Sequence, residues 1–175
     1  FGIDSVYALH NVPGLAEGQV LTTPGPIMAA VDSFEIHITG VGGHGAMPHE
    51  TADPIPAAIA MAQAMPTIVS RNNYALDDLV ISVTQMHAGT VDNVIPSTAF
   101  INGTVRSFDP VVQDMVERRM GEIVAGHAAA FGVTARLDYI RGYPATINDA
   151  EATRFAASVA AEVVGADKVD AAAGR

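Results

Sequence analysis

The chain has 175 residues, of which 49% are hydrophobic and 16% charged, so it can bury a sizeable core and is not a disordered protein. Nineteen acidic and nine basic residues give a net charge of −10, which argues against a protein that binds nucleic acid or an anionic membrane surface. The sequence contains no cysteine, which excludes a disulfide framework, a thiolate nucleophile and a Cys-zinc site and fits a cytoplasmic protein, and no apolar run approaches a membrane span.

The first predicted element is a short buried strand, Val6–His10, which ends on a histidine and is followed by a turn with Pro13 and Gly14. Residues 15–30 are rich in glycine and proline without periodicity, so we expect connections with short extended pieces. The chain starts without an initiator Met or signal peptide and stops directly after a helix. We therefore expect a fragment of a longer protein.

Residues 31–41 alternate between apolar and polar side chains, which is typical of a half-buried strand in an antiparallel sheet. The apolar face is formed by Phe34, Ile36 and Ile38, and the polar face by Glu35, His37 and Thr39. We assign no role to His37.

A helix is predicted to start at Asp53, because Asp is a good N-cap and proline follows at the first helical position. Its predicted apolar stripe consists of Ile55, Ile59, Ala62 and Met65. Pro66 removes the hydrogen bond to the carbonyl of Ala62, so we expect a kink there or an early end of the helix.

The second half of the pattern is strand, strand, helix, strand. Residues 79–87 and 98–106 are rich in β-branched side chains and are separated by a loop. A second helix begins at Asp109 and ends at Gly132, and residues 133–139 alternate as a fourth strand. The apolar stripe predicted for this helix is Val112, Met115, Val116, Met120, Ile123, Val124 and His127.

The order over residues 31–140 is therefore β-α-β-β-α-β. This order predicts an α+β fold, a ferredoxin-like two-layer sandwich of two helices on a four-stranded antiparallel sheet. The flanking residues 1–30 and 141–175 offer a lone strand and a lone helix near 149–164, neither of which can bury itself. We therefore expect a second domain, made of 1–30 and 141–175, into which the 31–140 domain is inserted.

The stretch Gly40–His49 has four glycines within six residues, which lets the backbone take positive φ or pass close to other groups. Two interpretations stand at this point. His44 reaches out from a chain of little bulk toward a ligand, or the stretch is a glycine-rich turn whose histidines satisfy backbone groups. His49 is expected to bond to the backbone and hold the loop.

Three further residues stand at strand ends or in Gly/Pro-rich loops, where functional groups are often placed. His10 is a metal ligand or catalytic group, or a structural histidine. Asn93 donates its amide to a substrate or caps its loop, and Arg141 binds a carboxylate in a bidentate manner or forms an interdomain salt bridge. His87 and His127 are expected at the edge of the core.

Several short motifs occur in order and at suitable spacing. They are Ala8-Leu9-His10-Asn11-Val12-Pro13, Gly25-Pro26-Ile27-Met28-Ala29, Gly40–His49 with Asp53-Pro54, Asn93-Val94-Ile95-Pro96 and Gly103-Thr104-Val105-Arg106. Together they resemble the metal-dependent amidohydrolases of the aminoacylase/carboxypeptidase metallopeptidase family. The likeness is strongest to the branch with hippurate hydrolase and the hydrolases of indoleacetyl–amino acid conjugates.

The resemblance implies an α/β catalytic domain interrupted by a ferredoxin-like lid, here residues 31–140, which also forms the contact of a homodimer. It implies an N-acyl amino acid as substrate and two divalent metal ions (Zn, Mn, Co or Ni) as cofactors. His10 matches a metal ligand. His44 matches the lid histidine that enters the active site, commonly that of the partner subunit, and polarises the scissile carbonyl.

The same likeness places Asn93 near the substrate carboxylate and Arg141 on it, whereas Arg106 is expected to support the sheet. The family's first metal ligands, its Glu-Glu pair with the general base and its last metal-binding histidine have no counterpart in residues 1–175. We therefore expect an amide hydrolase whose fragment is inactive alone.

The alternative is a non-catalytic dimerisation or small-ligand-binding module, since fold alone does not decide function. A Ser- or Cys-dependent hydrolase is set aside, because the chain has no cysteine and no nucleophile elbow.

Overall fold

The computed structural model of the protein describes residues 2–172. Its strands and α-helices are, in chain order, β1 (Val20–Leu21), β2 (Gly25–Met28), β3 (Ala30–Thr39), β4 (Gly43–His44), α1 (Pro54–Arg71), β5 (Leu79–Ala88), β6 (Val94–Ile95), β7 (Thr98–Ser107), α2 (Pro110–Phe131), β8 (Thr134–Arg141), β9 (Thr146–Asn148), α3 (Ala150–Val164) and β10 (Val169–Asp170). They divide into two compact units. One is Ala30–Pro144, and the other comprises the described residues of Phe1–Ala29 and Ala145–Arg175.

The larger unit is built on a four-stranded sheet in the order β5-β7-β3-β8, in which every neighbouring pair is antiparallel. Helices α1 and α2 contact each other, and both contact the sheet. The predicted β-α-β-β-α-β order and the ferredoxin-like two-layer sandwich are confirmed. The sheet buries one face against the helices and leaves the other half-exposed, as the alternation along β3 predicted.

The core of this unit is formed by apolar side chains of the two central strands and of both helices. Phe34 on β3 is fully buried and stands opposite Gly103 on β7. A Cβ added to Gly103 would lie 2.3 Å from Cζ of the Phe34 ring and 2.3 Å from the carbonyl oxygen of Ser82. The aromatic ring therefore lies against the bare backbone of Gly103, where no side chain could fit.

Helix α1 begins as predicted, with the Asp53 carboxylate accepting a hydrogen bond from the backbone N–H of Ile55 at 2.9 Å. The predicted stripe is confirmed at Met65, which is buried, and at Ala62, which packs against the core, but it is wrong at Ile59, which is 44% exposed. The buried residues are Pro54, Ala57, Ala58, Met61, Met65 and Ile68. Nearly every position of this helix is apolar, so hydrophobic periodicity could not identify the face that packs on the sheet.

Of the kink or early end predicted at Pro66, the early end is wrong, because the helix passes through Pro66 and ends at Arg71. Pro66 lies on the exposed side of the helix, away from the buried residues. Packing of the opposite face holds the backbone helical in spite of the missing N–H.

Helix α2 has the predicted ends. Asp109 accepts from the N–H of Val111 at 2.7 Å, and Gly132 stands in the left-handed region with φ of 67°. The predicted stripe is largely confirmed, since Val112, Val116, Met120, Ile123 and Val124 are buried. His127 is partly buried at the edge of the core, and its Nδ1 lies 2.8 Å from the Ile123 carbonyl.

The smaller unit contains two short strand pairs, β1 with β10 and β2 with β9, and helix α3. The predicted strand Val6–His10 is wrong. Residues 2–12 have no regular structure, and Val6 and Leu9 are 81% and 97% exposed. A strand needs a neighbour for its backbone hydrogen bonds, and residues 2–172 provide no ladder for this segment. No helix among the described residues combines the length and apolarity that a membrane crossing requires.

Candidate functional site

The glycine-rich stretch and the loop before β7 are joined by a short backbone ladder. Gly43 pairs with Ile95 and His44 with Val94 in the antiparallel pair β4–β6. The next residue, Gly45, donates its backbone N–H to the carbonyl oxygen of Asn93 at 2.8 Å. The structure thus brings together two predicted site residues, His44 and Asn93, that lie far apart in the sequence.

Glycine is required here for close approach between backbones. A Cβ at Gly40 would lie 2.0 Å from the carbonyl oxygen of Ala52, and one at Gly42 would lie 2.6 Å from that of Ile95. None of the glycines in this stretch has a positive φ. The sequence suggested either positive φ or close backbone approach for these glycines. The structure uses close approach, because the missing side chains let the His44 segment lie directly on its neighbours.

The His44 side chain is exposed, and a local hydrogen bond orients its ring. Its Nδ1 accepts from the backbone N–H of Ala46 at 3.1 Å. An N–H group can only donate, so the neutral imidazole carries its proton on Nε2. Within residues 2–172 this Nε2–H has no hydrogen-bond partner, which leaves an outward-facing donor.

The prediction that His49 holds the loop is wrong. His49 is exposed on the 3₁₀ turn Pro48–Glu50, and no hydrogen bond joins its ring to any residue that the structure describes. The turn is held instead by the Thr51 hydroxyl, which donates to the Pro48 carbonyl at 2.8 Å, and by the N–H of Met47, which donates to the His44 carbonyl at 2.8 Å.

Asn93 is exposed, and its backbone carbonyl rather than its side chain binds the glycine-rich segment. The side-chain amide has no partner among residues 2–172, so it does not cap its own loop there. Beside it lies an open cleft of about 700 Å³, lined by Gly45, Pro48 and Asp53 on one side and by residues 88–92 and 94–96 on the other. The amide and the His44 ring therefore stand at loops that border one cleft.

His10 lies in the smaller unit on the irregular segment described above, exposed, with Nδ1 2.6 Å from the carbonyl oxygen of Asn11. The cluster of potential metal ligands found in residues 2–172 does not include it. The structure therefore does not gather a ligand set around His10.

Arg141, at the end of β8, forms ion pairs with helix α2. Its Nε and one terminal nitrogen lie 2.9 and 2.5 Å from Glu117 Oε2, and that terminal nitrogen lies 2.8 Å from Asp114 Oδ1. These hydrogen bonds, that to Glu117 above all, raise the pKa of the guanidinium. The ion pairs lie inside the larger unit, unlike the interdomain bridge considered from the sequence. Arg106 stays on its own strand, where it donates to the Val105 carbonyl at 2.8 Å and to the Thr104 hydroxyl, and its role in supporting the sheet stays a prediction.

A buried carboxylate that was not predicted from the sequence lies beside Arg141. Asp32 is 2% exposed, and its Oδ2 accepts from the Tyr139 hydroxyl at 2.8 Å and from the Gln113 amide at 2.7 Å, while Oδ1 accepts from the N–H of Gly142 at 3.1 Å. Burial, followed by the hydrogen bond to Asp32, raises the pKa of Tyr139. A signal was present, because Asp32 occupies a position of the apolar alternation on β3.

Comparison with known proteins agrees with this architecture. The sequence model of the peptidase dimerisation domain matches residues 30–132. The chain is 43% identical over 148 residues to an N-acetyl-L-cysteine deacetylase of Bacillus subtilis, covering 85% of this chain and 36% of the relative. It is 34% identical over 165 residues to a hippurate hydrolase of Campylobacter jejuni, covering 94% and 43%.

A similar solved structure is that of the Bacillus subtilis YXEP protein, described as a dinuclear metal binding peptidase from the M20 family. It has a TM-score of 0.67 and 32% identity and covers 95% of this chain and 40% of that one. The chain thus spans about two fifths of the length of the curated relatives it matches.

Proposed function

Because this chain belongs to the M20 peptidase family and carries its dimerisation domain, we propose that it forms the lid of an enzyme that hydrolyses N-acyl amino acids. The names of the relatives support an amide substrate of this kind, since one removes the acetyl group of N-acetyl-L-cysteine. In this proposal residues 31–140 form the inserted domain, and residues 1–30 and 141–175 belong to the catalytic domain.

The observation that carries the proposal is the arrangement of His44 and Asn93 on two joined loops that border one cleft. Hydrolysis of an amide builds negative charge on the carbonyl oxygen in the transition state. A positioned N–H donor lowers the energy of that charge. The Nε2–H of His44 is such a donor, oriented through the bond between Nδ1 and Ala46.

The substrate's carboxylate needs donors of its own, and Asn93 and Arg141 are the proposed ones. The Asn93 amide has no hydrogen-bond partner among the described residues, and its chain neighbours Asp92 and Val94 line the cleft. The Arg141 guanidinium is already bonded to Glu117 and Asp114, so a substrate carboxylate would replace one of these partners. Asn93 is therefore the more readily available donor of the two.

A metal ion in such an enzyme would activate the attacking water and polarise the substrate carbonyl. His10 is the proposed ligand from this chain for one of two divalent ions (Zn, Mn, Co or Ni). A two-metal site needs several more ligands, and residues 2–172 do not gather them around His10. The described residues therefore do not form a two-metal site by themselves. The roles proposed for His44, Asn93 and Arg141 do not depend on a bound metal ion.

Substitution of His44 tests the proposal in the longest gene product that contains this chain. His44→Ala should lower kcat about a hundredfold or more, the usual cost of removing an oxyanion donor. The matched control is His49→Ala, which removes an exposed imidazole of the same loop and should stay near wild-type turnover. A His44→Ala enzyme within about threefold of wild type would contradict the role. Absence of turnover in the wild type would instead favour the non-catalytic binding module.

We further propose that the protein is a homodimer through the 31–140 domain and that His44 acts in the active site of the partner subunit. The match to a dimerisation domain supports the dimer. Mixing inactive His10→Ala and His44→Ala dimers under conditions of subunit exchange tests the cross-subunit role. Activity should return, because each mixed dimer holds one site with both residues intact. If subunits exchange and activity stays absent, His44 serves its own subunit.

A further inference from the structure

His37 lies between two carboxylates on the half-exposed outer face of the sheet. Its Nε2 is 3.2 Å from Glu35 Oε2 on the same strand and 3.6 Å from Asp138 Oδ2 on β8. One ligand atom of each residue lies within 4.8 Å of the others. Residues two apart on a strand share a face, which explains why Glu35 and His37 point the same way.

The strand register makes this arrangement costly without a positive charge. Glu35 and Asp138 stand directly opposite each other in the β3–β8 pair. Like charges at directly opposed positions destabilise an antiparallel pair. The Arg136 guanidinium relieves part of this repulsion through its ion pair with Asp138, and a cation bound between the two carboxylates would relieve the rest.

Two of the donor separations are compatible with a tetrahedral metal site. Zinc binds imidazole nitrogen and carboxylate oxygen at about 2.1 Å, so neighbouring donors of a tetrahedral site stand about 3.4 Å apart. The observed 3.2 and 3.6 Å lie on either side of that separation. The Phe100 ring, with its centroid 5.1 Å from that of His37, packs against the imidazole and limits its rotation.

We propose that Glu35, His37 and Asp138 form a binding site for a divalent transition-metal ion, best suited to zinc. One imidazole and two carboxylates are ligands that zinc accepts, and the half-exposed position leaves room for water as the fourth. An ion there would bridge β3 and β8 and stabilise the sheet, because it binds the folded arrangement only.

Substitution of Arg136 can distinguish a loss of metal binding from a loss of structure, because its expected effect on metal affinity is opposite to that of substituting a ligand. Its guanidinium lies 2.8 Å from Asp138 Oδ2, the same oxygen that faces His37. The guanidinium therefore competes with a metal ion for that oxygen. Removing Arg136 should tighten metal binding, whereas removing any of the three ligands should weaken it.

The test is calorimetric titration of the 175-residue chain with zinc chloride, supported by visible absorption after addition of Co²⁺. We expect binding with a stoichiometry near one and the intense d–d bands of tetrahedral Co²⁺. His37→Ala and Asp138→Asn should each weaken binding about tenfold or more. Even substitution of residues that only hydrogen-bond to metal ligands lowers metal affinity by about tenfold or more. Arg136→Gln should tighten it.

The control is His49→Ala, which removes an exposed histidine elsewhere and should bind zinc as wild type does, whereas His10→Ala tests whether zinc binds instead at the metal ligand proposed above. Circular dichroism confirms that each variant is folded, and Asp138→Asn tests the site with His37 intact. The proposal is overturned if the wild type binds no zinc, if binding depends on His10 instead, or if His37→Ala and Asp138→Asn bind as wild type.

Discussion

The backbone N–H of Gly45 donates to the carbonyl oxygen of Asn93 at 2.8 Å, and this bond continues the ladder between His44 and Val94. The histidine loop is therefore positioned by the loop that carries Asn93. Two side chains proposed to contact opposite ends of a substrate share one backbone connection. Changes that separate the loops should thus impair catalysis even when both side chains are intact.

Gly42→Ala tests this connection. The added Cβ would lie 2.6 Å from the Ile95 carbonyl oxygen and 2.8 Å from Ser97 Oγ, so β4 must move away from β6. We expect a stability loss of about 1–3 kcal/mol from overpacking. Turnover should fall about a hundredfold, since a displacement near 1 Å can cost that much. Steady-state kinetics and urea unfolding of the enzyme measure the two effects.

The matched control for this variant is Gly121→Ala on α2, where a new Cβ meets nothing within 4 Å. It should raise stability by about 0.5–1 kcal/mol and leave turnover unchanged, because alanine is the better helix former. Wild-type kinetics in Gly42→Ala would show that the ladder does not position His44.

Tyr139→Phe should change how stability depends on alkaline pH. The pKa of Tyr139 is raised by burial and by its bond to Asp32, so folding favours the protonated phenol. That contribution is complete below the ordinary pKa of 10.0 and is lost as pH rises above it. Tyr139→Phe should lower the free energy of unfolding by about 1.5–3 kcal/mol near neutral pH, as for a hydrogen bond to a charged group. The difference from wild type should shrink above pH about 10.

The readout for Tyr139 is the free energy of unfolding in urea, measured from neutral to alkaline pH. Tyr74→Phe is the control, because Tyr74 is largely exposed and should leave the alkaline decline as in wild type. Parallel alkaline declines in Tyr139→Phe and wild type would contradict the prediction.

Arg141→Gln separates substrate binding from structural support. If the guanidinium binds the substrate carboxylate, KM should rise about tenfold, the loss of one charge-assisted contact, with kcat little changed. Stability should change little, because the ion pairs to α2 are half-exposed. Glu117→Gln, which removes one competitor for the guanidinium, should leave KM unchanged or lower it. An unchanged KM in Arg141→Gln would restrict Arg141 to structural support.

Asp149→Ala should destabilise α3 in a pH-dependent way. The backbone N–H groups of Ala152 and Glu151 hold the pKa of the Asp149 carboxyl below its usual range. Its contribution is therefore present above the ordinary pKa of 3.8 and is lost as pH falls through the lower folded-state pKa. Thermal unfolding should show a lower midpoint for Asp149→Ala at neutral pH and converging midpoints in acid.

Glu162→Gln is the control for that variant. It removes an exposed acid from the last turn of the same helix, where a negative charge opposes the helix dipole, so its midpoint should not fall. Equal losses in both variants would contradict a capping role for Asp149.

Features of this fold that depend on local chemistry were predictable from sequence. Asp53 and Asp109 each mark a helix start through a bond to the N–H two residues on, and Gly132 ends a helix because it adopts positive φ. The alternation on β3 predicted the buried face correctly. Each of these signals lies within a few residues of the feature it specifies.

Features that depend on distant partners were not predictable. The Val6–His10 segment has the composition of a strand but no neighbour to pair with in the described chain. The bonds of Asp32 to Tyr139 and of Arg141 to Glu117 join residues that only the folded sheet brings together. The β4–β6 ladder likewise follows from tertiary approach, although four glycines indicated that something passes close by.

The contact between Phe34 and Gly103 limits how this sheet can diverge in sequence. Any side chain at position 103 would enter the space of the ring and of the Ser82 carbonyl. Positions 34 and 103 should therefore vary together, and a residue larger than glycine at 103 requires both a smaller partner at 34 and a shift of the β5 backbone at Ser82. In a library randomised at both sites and selected for folding, the two identities should be statistically dependent.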